Sequence, residues 1–524
     1  MRTRLLVLCI SLSAVVSMLA GGAIVGVACS AVPGATRSGT GGSGTGGSGA
    51  GHTSQGGSSS QGGSSSTGLG GSLSGFGGSL AWVCTDLQCT AQNDNCAGQG
   101  KSQTTISGTV YDPAGKLPLY NVYVYIPNQK PDPIVSGNPT CTQCQATASG
   151  SPVIGALTDA NGKFTLKQGA TDMWGVPSGA NIPLVIQVGK WRRQITIPSV
   201  TACADNTLPD PPNPKDKLRL PSKSSEGDMP LIAFTSGCDP AECFLRNVGI
   251  DDSEFVAPGN PAGHVHFYTG QGGLSTGGIL QIINASNVAG GNTWQDTFSW
   301  WKDAANLKKY DIVFNACDCL GGNRNSGGGS GNAYTAMQSY LEGGGRVFAT
   351  HFYYNWFAPP TGSAEFQSVV AWNPDGATKH ANYYIDTTFP KGKAFADWLQ
   401  GQGVTKTYGQ IDLVDARWDI DSTTMNATQW IYNADVASPG GAATPTYVTF
   451  NAPVAQPAAM QCGRAVFSDV HLSGLSDDTT FPNECVGADP TGAYATNEKA
   501  LEFLFFDLSS CVQNDSMPPP PPTQ

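Results

Sequence analysis

Four polar side chains stand shortly after continuous apolar runs, at the points where buried strands would end. They are Asp318, His351, Asp469 and His471. Ligands of open α/β sheets bind outside the carboxyl ends of the strands, so side chains that follow neighbouring parallel strands meet at one edge. Imidazole and carboxylate groups at such an edge suit general acid–base catalysis. We therefore predict these four residues as the candidate catalytic set.

The same residue types allow two other roles. Two histidines and an aspartate would also serve as ligands for a divalent metal ion. Each histidine would otherwise do no more than form local hydrogen bonds at the end of its strand. Spacing along the chain does not give distance in space, so these alternatives stay open. We assign no metal and no cofactor to the chain.

Aromatic side chains follow His351 directly. Tyr353, Tyr354 and Trp356 come after the end of a predicted strand. Aromatic rings that are exposed to solvent stack on ligands, and sugars are the class that we expect here. We therefore predict these three residues as ligand contacts.

The elements that would position these residues begin at residue 229, where strands and helices alternate. Continuous apolar runs predict parallel strands that are buried on both faces, over residues 230–235, 310–315, 346–350 and 463–468. Helices are expected over 294–307, 333–342 and 497–508. This alternation indicates an open, doubly wound α/β sheet with right-handed crossovers.

Three motifs carry a resemblance to a known family. They are Y-D-I-V-F at 310–314, G-G-G-R-V-F-A-T-H at 343–351 and G-R-A-V-F-S-D-V-H at 463–471. Together they resemble the class I glutamine amidotransferase-like fold of the flavodoxin type, and most closely its trehalose-utilisation branch. The resemblance spans residues 229–511, with the middle, about 360–455, unmatched.

The resemblance implies a cysteine nucleophile in a sharp Gly-x-Cys-x-Gly turn and a late His-x-Glu pair. Here His351 occupies the turn, and Leu and Ser follow His471. A thiolate with a histidine base is not assembled, so we exclude glutamine hydrolysis by this motif and expect a degenerate domain. Cys317 is two residues from Cys319, and we expect a disulfide between them.

Residues 104–202 show short alternating strands at regular spacing without a helical segment, which indicates a small β-sandwich. The motif G-T-V at 108–110, followed by a D-P-x-G turn, and T-D-A-N-G-K-F at 158–164 resemble the carboxypeptidase regulatory-like, transthyretin-type sandwich. That family implies a non-catalytic module that spaces, stabilises or sometimes binds glycans.

The N-terminus predicts export. Arg2 and Arg4 precede an uncharged, mostly apolar stretch that ends at Cys29. We predict a signal peptide over 1–28 and lipidation at Cys29, with cleavage near Ala31 or an uncut anchor helix as the alternatives. Each of the three would place the remaining chain outside the cytoplasm.

The amino-acid composition marks the segments that lie outside the two predicted domains. A flexible, disordered Gly/Ser-rich linker is expected over 29–80, a cysteine-rich cap over 81–103, a second linker over 203–228 and a Pro-rich tail over 512–524. The fold class is thus multidomain, with the sandwich preceding the amidotransferase-like α/β domain.

The net charge and the cysteine content limit which binding partners we expect. The net charge of −11 gives no electrostatic footprint for nucleic acid, so we exclude that partner. Without Cys9 and Cys29, 13 of the 15 cysteines remain. In an oxidising compartment most of them should pair, and an odd number leaves at least one thiol or one link to another molecule.

These features lead to a surface-anchored envelope protein, held to the membrane by a lipid or else secreted. We expect a non-catalytic binding or structural role with a glycan or an envelope protein as the partner. The first alternative is a hydrolase or sugar-processing enzyme that uses His351 and His471. The second is an envelope component joined to another protein through its odd cysteine.

Overall fold

The computed structural model describes a defined part of the chain. The described residues are 83–92, 95–141, 144, 148–170, 172–235, 239, 241–268, 297–317, 324–325, 331–373, 382–434, 443–472, 481, 485 and 495–520. The predicted signal peptide, Cys29 and the Gly/Ser-rich linker lie outside these residues, as does Asp318.

Seven strands in the first half of the chain form two sheets. They are β1 (Thr105–Thr109), β2 (Tyr123–Pro127), β3 (Pro152–Leu157), β4 (Lys163–Leu166), β5 (Gly179–Val188), β6 (Trp191–Val200) and β7 (Asp205–Thr207). The sheet orders are β4-β1-β7 and β3-β2-β5-β6. Ile106 and Phe164 of the first sheet share a buried cluster with Val124 and Ile186 of the second. The two sheets therefore enclose a common apolar core.

The segment 203–228, which we expected to be a linker, is packed against this part of the protein. It contributes β7, which pairs in parallel with β1. Leu218 and Leu220 from the same segment are buried in the core. Two leucines and a paired strand give this Pro- and Lys-rich stretch a fixed path, which its composition alone did not indicate.

The remaining strands are β8 (Ile232–Thr235), β9 (Phe255–Val256), β10 (Val265–Tyr268), β11 (Ile312–Asn315), β12 (Arg346–Thr350), β13 (Val370–Trp372), β14 (Tyr383–Ile385), β15 (Gln410–Ile411), β16 (Ile420–Thr423), β17 (Ala427–Asn433), β18 (Thr444–Ala452) and β19 (Gly463–Ser468). Ten of them form one sheet in the order β15-β14-β17-β18-β19-β12-β11-β8-β10-β9, and β13 pairs with β16. The neighbours from β19 to β9 are parallel, whereas the other pairs are antiparallel.

The four strands that we predicted from apolar runs are confirmed. Every residue of β8, β11, β12 and β19 is buried. A strand that is covered on both faces presents apolar side chains on both, which is why the centres of these strands lack alternation. These four strands are neighbours in the sheet, and their ends define the edge described below.

Helices flank the large sheet. The described α-helices are α1 (Leu87–Gln92), α2 (Ala241–Asn247), α3 (Thr297–Trp300), α4 (Ala304–Leu307), α5 (Ala333–Glu342), α6 (Ala364–Gln367), α7 (Pro390–Gly401) and α8 (Ala495–Ser509). The single helix expected over 294–307 is wrong, because the Asp303 side chain accepts from the Ala305 N–H and begins α4 as a separate helix.

The last helix, α8, joins the two halves of the fold. Trp191 of β6 contacts Phe505 and Phe506, and Phe505 also lies against Phe314 of β11. One hydrophobic cluster therefore runs from the sandwich through α8 to the large sheet. Among the described residues, no helix is long and apolar enough to cross a membrane.

Two disulfides also link the sandwich to the α/β part of the chain. Cys141 and Cys144, from a loop beside the sandwich, pair with Cys462 and Cys511 of the α/β part. The other described disulfides are Cys84–Cys89, Cys96–Cys203 and Cys243–Cys485. Cys141 and Cys144 thus belong to two separate structural disulfides rather than to a redox or zinc motif.

Candidate functional site

Four neighbouring parallel strands end at the same level. The register pairs Asn315 at the end of β11 with Thr235 of β8 and with Ala349 of β12, and it pairs Thr350 of β12 with Ser468 of β19. The chain after each strand therefore emerges at one edge of the sheet. These four exits carry Asp239, Cys317, His351 and His471, one from each strand.

His351 begins immediately after β12 in an unusual backbone conformation. Its φ angle is +47°, in the left-handed region that non-glycine residues rarely adopt. A short 3-10 helix, His351–Trp356, starts at the same residue. Such strain costs on the order of 1 kcal/mol and is typical of functional sites. Here the sharp turn keeps the imidazole at the strand end, beside its neighbours.

The two predicted histidines are in contact. The ring centroids of His351 and His471 are 3.8 Å apart, with an interplanar angle of 36°. His351 is 3% exposed, whereas the His471 side chain is 27% exposed. The structure therefore brings the two imidazoles together, and His471 is the one that reaches solvent.

His471 is held by a carboxylate that the sequence analysis did not select. Its Nδ1 lies 2.6 Å from Oδ1 of Asp239, a side chain that is only 1% exposed. Burial lowers the pKa of His471, but the hydrogen bond and the negative charge of Asp239 outweigh it, so the pKa is raised overall. With Nδ1–H donating to Asp239, the lone pair of His471 lies on Nε2.

Cys317 completes the cluster as a buried thiol. Its Sγ lies 3.0 Å from Nδ1 of His351, and its backbone N–H donates to Oγ1 of Thr350 at 2.9 Å. The expected disulfide between Cys317 and Cys319 is therefore wrong. The thiol is instead fixed between the ends of β11 and β12, and its burial also excludes it as a link to another protein.

His351 is neutral in this setting. Burial, followed by the nearby positive charges of His471 and Arg417, lowers the pKa of His351 to about 2. Arg417 lies over the ring of Phe352, with 4.9 Å from its guanidinium carbon to the ring centroid. A neutral imidazole retains one nitrogen lone pair, which it can offer to a proton or to a metal ion.

Asp469 takes a different position from the one we predicted. Its carboxylate Oδ2 accepts from the backbone N–H of Asp419 at 2.6 Å, and its backbone C=O accepts from Arg417. Burial, and then the neighbouring charge of Asp419, raise the pKa of Asp469 well above its ordinary value. Asp469 thus organises the segment that carries Arg417, and Asp239 is the carboxylate that contacts a site histidine.

The three predicted ligand-binding aromatics are buried, so the prediction of an exposed platform is wrong. Tyr353 and Trp356 are 0% exposed and Tyr354 is 8% exposed. Trp356 packs edge-on against Trp301, with ring centroids 5.0 Å apart. The 3-10 helix after His351 folds back onto the core, so its aromatic residues anchor the turn rather than face a ligand.

Three donor atoms of this cluster could hold a metal ion. The Sγ of Cys317 and one nitrogen from each of His351 and His471 all lie within 4.8 Å of one another. Sequence reasoning missed Cys317 as a thiol and Asp239 altogether. Asp239 carried only a weak signal, because it stands four residues beyond the end of β8, whereas His351 follows β12 directly.

No family model matches the chain, and no curated protein matches it. A putative ThuA-like protein from Bacteroides uniformis shares 11% identity over 52% of this chain and 88% of its own, with a TM-score of 0.26. A cytoplasmic protein from Salmonella typhimurium shares 10% identity over 54% of this chain and 99% of its own, with a TM-score of 0.28. These weak likenesses carry no argument about function.

Proposed function

We propose that the chain is an exported hydrolase whose active site is formed by Asp239, Cys317, His351 and His471. One observation carries this proposal, namely the meeting of four chemically active side chains from four neighbouring strand ends. This convergence favours the catalytic alternative over the non-catalytic binding role that we first expected. Ligand sites of open α/β sheets lie at this edge.

His471 has the central role in the proposed reaction. Asp239 fixes the ring by accepting the Nδ1 proton, which leaves the Nε2 lone pair for chemistry. Activation of a water molecule through that lone pair gives a nucleophile for hydrolysis. A positioned group of this kind contributes typically about 10²–10⁴-fold to a rate.

Cys317 supports the site rather than attacking the substrate. A nucleophilic thiol must reach the substrate, and Cys317 is 0% exposed. Its contact with His351 at 3.0 Å instead places a soft sulfur behind the two imidazoles. The proposed reaction therefore proceeds through water and not through an acyl-thiol intermediate.

The proposal extends to the setting of the enzyme. The five described disulfides favour an oxidising compartment outside the cytoplasm. We assign the seven-stranded sandwich to the carboxypeptidase regulatory-like type, the large sheet to the amidotransferase-like type and Cys29 to a lipid anchor. Mass spectrometry of the mature N-terminus tests the anchor, because a diacylglyceryl group on Cys29 is expected and an unmodified N-terminus would contradict it.

The fold offers a matched control for the active site. His264, just before β10, bonds Glu254 through Nδ1 at 2.8 Å, with the side chains 20% and 2% exposed. The pair formed by His471 and Asp239 has the same chemistry and similar burial, at 27% and 1%. His264 lies at the amino end of its strand, however, on the opposite edge of the sheet.

The experiment is a substrate screen followed by two variants. The purified chain is assayed against chromogenic carboxylic esters, phosphate esters and glycosides. We expect His471→Ala to lower turnover of the substrate found by about 10²–10⁴-fold and His264→Ala to leave it unchanged. No turnover in any class, or an equal loss in both variants, would restore the non-catalytic binding role.

A further inference from the structure

The donor atoms at the strand ends form a set with a recognisable chemical preference. One thiol and two imidazoles are borderline-soft ligands, which select zinc-like transition metals over magnesium or calcium. The three atoms lie within 4.8 Å of one another, and Sγ of Cys317 is already 3.0 Å from Nδ1 of His351. In a tetrahedral zinc site, ligand atoms are separated by roughly 3.4–3.6 Å. Side-chain shifts of about 1 Å would bring the set to that spacing.

We propose that Cys317, His351 and His471 bind one divalent transition-metal ion of the zinc class and leave a fourth position for water. The inference deepens the proposed function and rests on it, because the ion would occupy the same site. When the sulfur–metal bond forms, the thiol proton leaves to solvent and the imidazoles donate lone pairs without losing a proton.

The arrangement around His471 supports a ligand role. Metal-bound histidines almost always donate their other ring N–H to a carboxylate, a backbone carbonyl or water, which fixes the tautomer and raises the basicity of the ligating nitrogen. Asp239 accepts the Nδ1 proton of His471 at 2.6 Å. This contact leaves Nε2 to face the ion.

Charge balance also favours a divalent ion. A Cys317 thiolate and the buried Asp239 carboxylate would together supply two negative charges, which neutralise a 2+ ion inside a region of low solvent access. The backbone strain at His351, with φ of +47°, holds a third donor in the same place. Strain of this kind persists where the surroundings require one particular orientation.

The exposure pattern indicates where the open position lies. Cys317 and His351 are buried, whereas His471 is partly exposed. A fourth ligand therefore enters from the side of His471. Catalytic zinc sites combine three protein ligands with one such open position, and the ion lowers the pKa of its bound water to about 7. With the ion bound, the Nε2 lone pair of His471 would serve as a ligand, and the ion would take over the activation of water that the proposed function assigns to that lone pair.

Cobalt provides a readout that does not depend on activity. The disulfide-intact chain is stripped with a chelator, loaded with Co²⁺ and desalted, and its metal content and absorption spectrum are recorded. We expect one cobalt per chain, intense visible bands of tetrahedral Co²⁺ and a near-ultraviolet sulfur-to-cobalt band. Cys317→Ser should abolish the sulfur band and weaken cobalt binding by at least about 100-fold, and His264→Ala should change neither.

A second variant keeps the test informative if Cys317→Ser folds poorly. Asp239→Asn retains the shape of the side chain and should weaken cobalt binding by about 10–100-fold, as the loss of a partner behind a ligand does. Wild-type protein without bound cobalt, or a sulfur band that persists in Cys317→Ser, would overturn the metal site.

Activity separates the two proposals. If the chain binds no cobalt but still turns over a substrate, and His471→Ala loses that turnover, the metal site is wrong and the hydrolase stands. If cobalt binds as described but no substrate class is turned over, the hydrolase is wrong and the metal site stands as a binding centre.

Discussion

Four charged side chains are buried together where β19, α7 and α8 meet the C-terminal segment. Arg464 donates to Asp507 at 2.8 Å and to Asp515 at 2.9 Å. Lys391 donates to Asp507 at 2.6 Å and lies 3.3 Å from Asp515. All four side chains are at most 4% exposed, and their charges cancel. Replacement of Asp515 by Asn would therefore leave one uncompensated positive charge in the interior.

The size of the effect follows from the pKa of Asp515. Burial alone would raise it, but the charges of Arg464 and Lys391 outweigh burial and lower the pKa from 3.8 to about 2. A lowering of this size corresponds to between about 2 and 3 kcal/mol of unfolding free energy. Breaking a buried ion pair costs about 3–5 kcal/mol. We expect Asp515→Asn to lower the free energy of unfolding by about 3 kcal/mol at pH 7.

The lowered pKa of Asp515 determines how its contribution to stability changes with pH. The contribution of Asp515 is present above the unfolded value near 4 and is lost as pH falls through the folded value of about 2. Urea unfolding, followed by tryptophan fluorescence with the disulfides intact, should show a constant difference between wild type and variant from pH 7 to 5 that shrinks towards pH 2.

Asp397→Asn is the control for this measurement. Asp397 pairs with Lys393 on α7, and these side chains are 36% and 62% exposed. Water screens such a pair, so we expect no measurable change in stability. Equal effects of the two substitutions, or a difference for Asp515→Asn that persists at pH 2, would refute the reasoning.

Two further predictions concern the cysteines. Cys317 should resist alkylation in the native chain and react only after unfolding, because it is fully buried. Mass spectrometry of the peptide that contains Cys317 measures this, and labelling of the native chain would contradict the prediction. Loss of the disulfide between Cys144 and Cys511 should lower the free energy of unfolding by about 4 kcal/mol. The disulfide between Cys141 and Cys462 stays in place, so the loop that the Cys144–Cys511 disulfide closes is only roughly 50 residues long. Urea unfolding of the Cys144→Ser, Cys511→Ser chain measures this cost, and a loss below about 1 kcal/mol would contradict the loop argument.

The parallel part of the sheet could be predicted from the sequence, but the antiparallel part could not. Buried parallel strands such as β12 have an uninterrupted apolar centre, Val347 to Ala349, so they stand out in the sequence. β18 is almost as deeply buried yet contains Thr444, Thr446 and Thr449. Thr449 remains satisfied by donating to Asp515 at 3.0 Å. A strand whose polar side chains find partners in the interior carries no apolar run to predict it.

The candidate site could be predicted in part for a similar reason. His351 and His471 follow apolar strands, so the rule about strand ends located both. Asp239 was missed because its partner His471 is 232 positions away in the chain. Tyr353 was misassigned because exposure depends on the direction in which the 3-10 helix turns after His351, and sequence spacing does not give that direction. The odd number of cysteines predicted at least one thiol or one link to another molecule but did not identify Cys317.

The central claim is that His471 and Asp239 act as one catalytic unit. A double-mutant cycle on kcat/KM with His471→Ala, Asp239→Asn and the combined variant tests it most directly, with His264→Ala and Glu254→Gln as the control cycle. Residues that act together give strongly non-additive losses, so the combined variant should be no slower than His471→Ala alone. Losses that multiply, or equal losses in the control cycle, would contradict the account.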